Sequence, residues 1–257
     1  MDERLKRLRA ADRISAPTII RALLPTMVRQ RGDRLLGQDA ALTAGFGQTA
    51  TGQRLAVLGV DRGNDLASRR SKNGGALTVP GYRTALRVVQ HAQKFGMPVV
   101  SLINMPGADA SPVSERFGQS QAIADLIAAT GQLPVPNLVI FLGEGHSGGA
   151  LGFANANRIM MLDDALFNVA SPEAVAAILH GQQTVSDAID LLPMTATDLA
   201  ERGLVDQVVS HETPKLVDTL ISLIETQLQD LSQWDGLALI AQREAKFQHF
   251  LDTWPIN

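Results

Sequence analysis

The stretch of this chain best suited to chemistry is Phe141-Leu142-Gly143-Glu144-Gly145-His146-Ser147-Gly148-Gly149-Ala150-Leu151. An apolar strand pattern runs into small and polar residues and then into a helical pattern. Backbone N–H groups at a helix start have no partner within the helix, and they carry the positive end of its dipole. Glycines there let a ligand come close to the main chain. Such a place suits a phosphate or a developing oxyanion.

Three accounts of the segment stay open at this level. In the simplest, Gly148, Gly149 and Ala150 only let a helix pack tightly on a sheet. In the second, Gly145-His146-Ser147-Gly148-Gly149 is a G-x-S-x-G nucleophile elbow and the chain is a serine hydrolase using Ser147. That reading needs a carboxylate and a histidine downstream, where only His180, His211 and His249 are available. Asp206 lies too near His211 to end a separate strand, which leaves Asp187 or Asp190, neither in a clear strand-end loop. In the third, Gly148 and Gly149 donate backbone N–H groups to an oxyanion, and Ser147 caps the helix.

The elements that would hold this segment follow from periodicity. Ala40–Phe46 and Arg54–Val60 read as two strands joined by a polar turn. Gly81–Phe95 has Tyr82, Ala85, Leu86, Val89 and Ala92 at helical spacing. A strand at 99–103, a helix from about Glu115 to Thr130, a strand at 137–142, a helix at 147–155 and short strands at 158–162 and 166–169 follow. This cadence predicts an α/β fold with a parallel sheet and right-handed crossovers. Residues 1–31, with eight Arg or Lys residues, read as a helical N-terminal arm split by Pro17 and Pro25, either solvated or a subunit contact. Residues 213–257 read as C-terminal helices, with apolar stripes at Leu216, Val217, Leu220, Ile221, Ile224 and Leu228 and at Ile240, Phe247, Phe250, Leu251 and Trp254. A single domain over 1–257 is expected.

Composition narrows the functions. Of 257 residues 45% are apolar, enough for a sizeable core, and the net charge of −3 points to neither a nucleic-acid nor a membrane binder. With no cysteine there is no disulfide, thiolate metal site or cysteine nucleophile. The five histidines lack metal-ligand spacing, so no metal is expected in this chain. The charged N-terminus lacks the pattern of a secretory signal, and a soluble, cytoplasmic protein is expected.

Six segments in order resemble the carboxyltransferase alpha subunit of bacterial acetyl-CoA carboxylase. They are Gly32-Asp33-Arg34, Pro80-Gly81-Tyr82-Arg83-Thr84-Ala85-Leu86-Arg87, Lys94-Phe95-Gly96-Met97-Pro98-Val99, Gly118-Gln119-Ser120-Gln121-Ala122-Ile123-Ala124, the glycine cluster 143–151, and Ser171-Pro172-Glu173. The resemblance implies a crotonase-like (ClpP/crotonase) fold with ββα-type units. It implies a beta-subunit partner in an α₂β₂ heterotetramer, with zinc in the beta subunit only, and no cofactor bound covalently here. It also implies carboxyl transfer from carboxybiotin, on the biotin carboxyl carrier protein, to acetyl-CoA, giving malonyl-CoA for fatty-acid synthesis. By position it makes Gly148 and Gly149 the oxyanion donors. Gly145 and His146, Gly107 and Ala108, and Gln119 become substrate-binding candidates, and Ser171-Pro172-Glu173 a helix start.

The chain departs from the family pattern in places. Asn104-Met105-Pro106-Gly107-Ala108 stands where Asp-Thr-Pro-Gly-Ala is usual, and His146 stands where glycine is usual. A divergent paralogue acting on another acyl-CoA, or a non-catalytic assembly subunit, is the alternative.

Overall fold

The computed structural model describes residues 3–179, 184–192 and 194–253, apart from the side chain of Asp190. His180 and Trp254 therefore lie outside the described residues, as does the Asp190 carboxylate.

Eight strands form one sheet: β1 (Thr26–Arg29), β2 (Leu42–Gln48), β3 (Arg54–Val60), β4 (Val99–Met105), β5 (Asn137–His146), β6 (Arg158–Leu162), β7 (Leu166–Asn168) and β8 (Gln207–Val209). Their order is β1-β2-β3-β4-β5-β6-β8, with β7 also paired to β5. The pairs β1–β2 and β2–β3 are antiparallel; β3 to β4, β4 to β5, β5 to β6 and β6 to β8 are parallel. Strand β5 lies at the centre, and all ten of its residues are buried. That is why it reads as a nearly continuous apolar run rather than an alternation.

Strand β5 is longer than its apolar run. Its first half pairs with β6 from Leu138 to Phe141, and its second half with β7 from Glu144 to His146. The last residues before the helix Ser147–Ala154 are thus held on both sides, since Met105 of β4 also pairs with Gly145.

The helix Val79–Lys94 starts with proline in its first turn, where no N–H partner is lost. It buries Tyr82, Ala85, Val88, Val89 and Ala92 against the sheet at the i, i+3, i+4 spacing of an amphipathic helix. The expected helix from Glu115 to Thr130 is two helices, Pro112–Arg116 and Gln119–Gly131. Gly118 between them has φ 86, a left-handed conformation that ends the first.

The N-terminal arm differs from a solvated helical extension. Pro17 begins the helix Ala16–Leu23 instead of splitting one, and Pro25 precedes strand β1. Leu5 and Leu8 pack with Leu166, Val175, Ala188 and Ile189 in a second apolar cluster. Ile19, Ile20 and Leu23 join the main core.

The first C-terminal stripe packs as expected, with Leu220, Ile224 and Leu228 buried in Leu216–Leu231. The second does so in part, with Phe247 and Phe250 half-buried against the core. In Gly236–Asp252 the buried row is Leu239, Arg243 and Lys246, while Leu251 is 62% exposed. The Arg243 guanidinium donates to the carbonyls of Gly131 and Leu133 and to Asn157 Oδ1. A cation suits the C-terminal end of the Gln119–Gly131 helix, whose last carbonyls lack partners.

Candidate functional site

The glycine cluster resolves into residues that pack and residues that face outward. A side chain at Gly145 would put its Cβ 2.2 Å from the Phe141 ring, and one at Gly143 would meet Asn104 Oδ1 at 2.6 Å. Both glycines give room to a neighbour. Asn104 uses that room to accept the Glu144 N–H at 3.3 Å, tying β4 to β5.

Gly149 is also a packing position. A Cβ there would fall 2.4 Å from Tyr82 Oη and 2.8 Å from Ala108 N. Gly148 is half-buried and would meet only Ile123 Cγ2, at 3.6 Å. Ser147 is exposed and Gly149 buried, so the helix start has an open side and a closed side.

Ser147 does not cap the helix. His146 holds the cap position, no side chain caps, and Ser147 has φ 66. A non-glycine residue in that region is strained by roughly 1–2 kcal/mol. This is the backbone shape of a nucleophile elbow, but among the described residues the partners are not assembled. No described histidine hydrogen-bonds Ser147. His211 binds Asp163 through Nδ1 at 2.6 Å and borders a different cavity, and the His249 ring lies beside Gly203.

The bend after β4 sits beneath this helix start. Gly107 has φ 126, and a Cβ there would be 3.6 Å from the His146 carbonyl oxygen. Ala108 pairs with Leu77, and Asp109 donates its N–H to Leu77 O at 2.9 Å. Gln119 is buried and donates its side-chain amide to the same Leu77 oxygen at 2.7 Å. The structure therefore brings together Gly107, Ala108, Gly145, His146, Gly148 and Gly149, with Gln119 behind them as a brace. Ser171 accepts the Ala174 N–H at 3.2 Å and opens the helix Pro172–Ile178 as expected.

The His146 side chain is fully buried, and neither ring nitrogen has a hydrogen-bond partner. Burial pushes it down to about 4; Glu173 opposes this, and Arg9 and Arg62 reinforce it. It is a neutral ring near physiological pH, with Nε2 3.7 Å from Glu144.

Sequence reasoning missed what surrounds Glu144. Its side chain is wholly buried and accepts two bonds from Arg9, at 2.9 and 2.6 Å, and another from Arg62. Arg9 also bonds Glu173 at 2.6 Å. Burial, with Arg9 and Arg69 nearby, lowers Arg62 to about 10. Burial works to raise Glu173, but the Arg9 hydrogen bond holds its carboxyl below the usual range. A carboxylate amid a buried strand demands cations; the sequence signalled that need, though not that the arm and the end of β3 supply them.

Outside the helix start lies a cavity of about 350 Å³, within the range of small-molecule sites. Ser147, Gly148 and Asn168 border it at one end, and Phe167, Phe247, Phe250 and Leu251 supply apolar wall. Phe167 stacks on Phe141 with centroids 4.4 Å apart, which fixes that wall. Phe247 and Phe250 thus pack against the core and line the cavity as well, while Leu251 is exposed. Its walls are almost wholly apolar, with Ser147, Gly148 and Asn168 at one edge, so the cavity can hold a compact apolar group beside the helix start.

Comparison with known structures defines the class. The transcarboxylase 12S structure with hydrolysed methylmalonyl-coenzyme A bound superposes with a TM-score of 0.72 at 18% identity, over 89% of this chain and 44% of that one. A Pseudomonas malonate decarboxylase hetero-tetramer in complex with coenzyme A gives 0.70 at 18% identity, over 94% of this chain and 100% of that one. The fold is that of the crotonase-like carboxyltransferases. Residues 2–251 match the acetyl co-enzyme A carboxylase carboxyltransferase-like family, and the chain belongs to it. It is 38% identical over 236 residues to the acetyl-coenzyme A carboxylase carboxyl transferase subunit alpha of Zymomonas mobilis, covering 89% of this chain and 75% of that protein. The subunit of the same description from Streptococcus thermophilus is 33% identical over 250 residues, covering 96% and 97%. Among the described residues no helix is long and apolar enough to cross a membrane.

Proposed function

We propose that this chain is an alpha-type subunit of acetyl-CoA carboxylase carboxyltransferase. Its 257 residues act as one carboxyltransferase domain, paired with a beta subunit in an α₂β₂ assembly in which zinc belongs to the beta side. The reaction breaks the bond between the carboxyl carbon and biotin N1, and forms one to the methyl carbon of acetyl-CoA. The methyl proton passes to biotin N1, and the product is malonyl-CoA. As the carboxyl group leaves, negative charge gathers on the ureido oxygen, and backbone N–H groups can stabilise it there without reorganising.

The observation that carries this reading is Gly148, half-buried at an uncapped helix start and bordering an apolar cavity. Gly149 contributes its N–H and holds the helix to the Gly107–Ala108 bend. Gly145, His146 and Gln119 support the cavity from behind. Biotin N1 serves as the base, so no side-chain base is required. Carboxybiotin arrives on the biotin carboxyl carrier protein.

Co-expression with a beta subunit tests the reading. The complex is expected to make malonyl-CoA from acetyl-CoA and carboxybiotin, and the isolated chain is not. A complex that forms without turnover would make this an assembly subunit. Labelling of Ser147 by a fluorophosphonate would reinstate the hydrolase account.

A further inference from the structure

The segment between β1 and β2 carries charge that the carboxyl-transfer chemistry does not use. Residues 29–39 hold Arg29, Arg31 and Arg34 against Asp33 and Asp39, and the two signs are sorted by depth. Both carboxylates are buried and spent on the backbone. Asp33 Oδ1 accepts the N–H groups of Leu35, Leu36 and Gly37 at 3.0, 2.8 and 2.9 Å, and Asp39 accepts those of Ala41 and Thr78. Arg31 and Arg34 are exposed instead, and among the described residues neither is paired with a carboxylate. Arg34 lies at φ 68, an uncommon region for a side chain of its size, so the Asp33 turn and not local preference sets its place. Arg87 donates to Gly32 O at 2.5 Å and to Gln30 Oε1 at 3.1 Å, which adds a third guanidinium beside the segment. Burial, with Arg34 nearby, lowers it from its ordinary value. Arg31, Arg34, Leu35 and Leu36 border a surface hollow of about 480 Å³, and Leu35 is 77% exposed. A chain of net charge −3 thus concentrates positive charge around two exposed leucines.

Arg83 ties this face to the wall of the site. One of its nitrogens lies 3.8 Å from the Asp33 carboxylate, and another donates to Phe117 O at 3.0 Å. Phe117 ends the short helix Pro112–Arg116, which follows the Gly107–Ala108 bend. We propose that residues 31–36 are a docking surface for an acidic face of the biotin carboxyl carrier protein, with Arg31 and Arg34 meeting its carboxylates and Leu35 and Leu36 an apolar residue among them. The inference rests on the carboxyltransferase reading. Charge complementarity selects an acidic partner. The kind of contact selects the carrier, which must leave after each transfer, whereas the beta subunit stays. The core of a lasting interface is depleted in charge. Contacts made and broken at each turnover are small and steered by charge. Exposed arginines around two leucines have that second character.

The test compares two acceptors of the carboxyl group from malonyl-CoA, in the complex with the beta subunit: the biotinylated carrier protein and free biocytin. Only the first can use a docking surface. In the double variant Arg31→Glu with Arg34→Glu, KM for the carrier is expected to rise about thirtyfold. Kinetics with biocytin and the thermal midpoint should stay near wild type. Arg34→Gly removes one charge and suits the φ of 68, and it should raise KM for the carrier about threefold. In the wild type, KM for the carrier should climb with added salt, and that for biocytin should not. Unchanged carrier kinetics in both variants, with wild-type transfer intact, would overturn the docking role alone. An equal loss with biocytin would overturn it too, assigning the arginines to the site or its stability. Weakened association with the beta subunit, read by gel filtration, would overturn it in favour of the subunit interface. Absence of transfer to either acceptor in the wild-type complex would remove the parent reading and this one together.

Discussion

The helix start at 147–149 has two sides built on opposite rules. On the inner side every group is packed or paired: Gly149 against Tyr82 and Ala108, Gly145 against Phe141, Glu144 between two guanidiniums. On the outer side Ser147 is exposed and Gly148 half-buried, and both border the cavity. The inner side supplies rigidity, and the outer side supplies access to the helix start. Adjacent glycines of one motif thus do different work, and substitution should separate them.

The largest effect is expected where the inner side is filled. Gly149→Val would push Cβ to 2.4 Å from the buried Tyr82 oxygen and 2.8 Å from Ala108 N, a backbone atom that cannot swing aside. A loss of about 3 kcal/mol or more is expected, read as a thermal midpoint many degrees lower. Gly148→Ala meets only ordinary contact at 3.6 Å and gains about 1 kcal/mol of helix propensity. Its midpoint should hold or rise while transfer falls. If Gly149→Val melted like wild type, the division into two sides would fail.

Removing Arg9 tests the same side through charge. Arg9→Ala leaves the fully buried Glu144 with Arg62 and frees Glu173. Breaking a buried pair costs about 3–5 kcal/mol, and the remaining guanidinium should keep this case near 3. Denaturant unfolding measures it, and Arg9→Lys should recover only part, since one ammonium cannot reproduce the two-bond contact. A loss within about 0.5 kcal/mol would show that the arm is not clamped to β5.

His146 gives the inner side a pH signature. Its ring is held neutral down to about 4, whereas the unfolded chain takes up a proton near the ordinary value of 6.5. Between those values the unfolded state binds more protons, so stability falls as pH falls through that window. The span corresponds to on the order of 3 kcal/mol, present above 6.5 and lost toward 4. Unfolding curves across pH 4 to 7 should be flatter in His146→Phe than in wild type. An equal slope in both would mean that the ring is solvated.

The parts legible in the sequence are those set by local patterns. Strand β3 and the first C-terminal stripe follow from apolar periodicity, and the glycine cluster was found at its position by spacing. The parts that were not legible depend on long-range contact. Arg9 and Glu144 are separated by 135 positions, and nothing local to either names the other. The sequence could not distinguish Gly148 from Gly149, because their difference lies in Tyr82 and Ala108. The outward turn of Leu251 was not legible, because an apolar stripe on a helix looks the same whether its residues meet the core, as Phe247 and Phe250 do, or face solvent. Arg243 showed the converse, a charge on the buried face held by carbonyls at another helix's end.

Ser147 should give the smallest effect, and it bears on the outer side directly. The residue sits at φ 66 and forms no cap bond. Ser147→Ala therefore removes no hydrogen bond of the helix and keeps the same strained backbone, so stability should change by less than about 0.5 kcal/mol. Ser147→Gly relieves the strain and should gain about 1 kcal/mol. Both variants are expected to retain carboxyl transfer in the complex with the beta subunit, because the donors there are main-chain N–H groups. A loss of transfer in Ser147→Ala with an unchanged thermal midpoint would assign chemistry to the hydroxyl and shift the site from backbone to side chain.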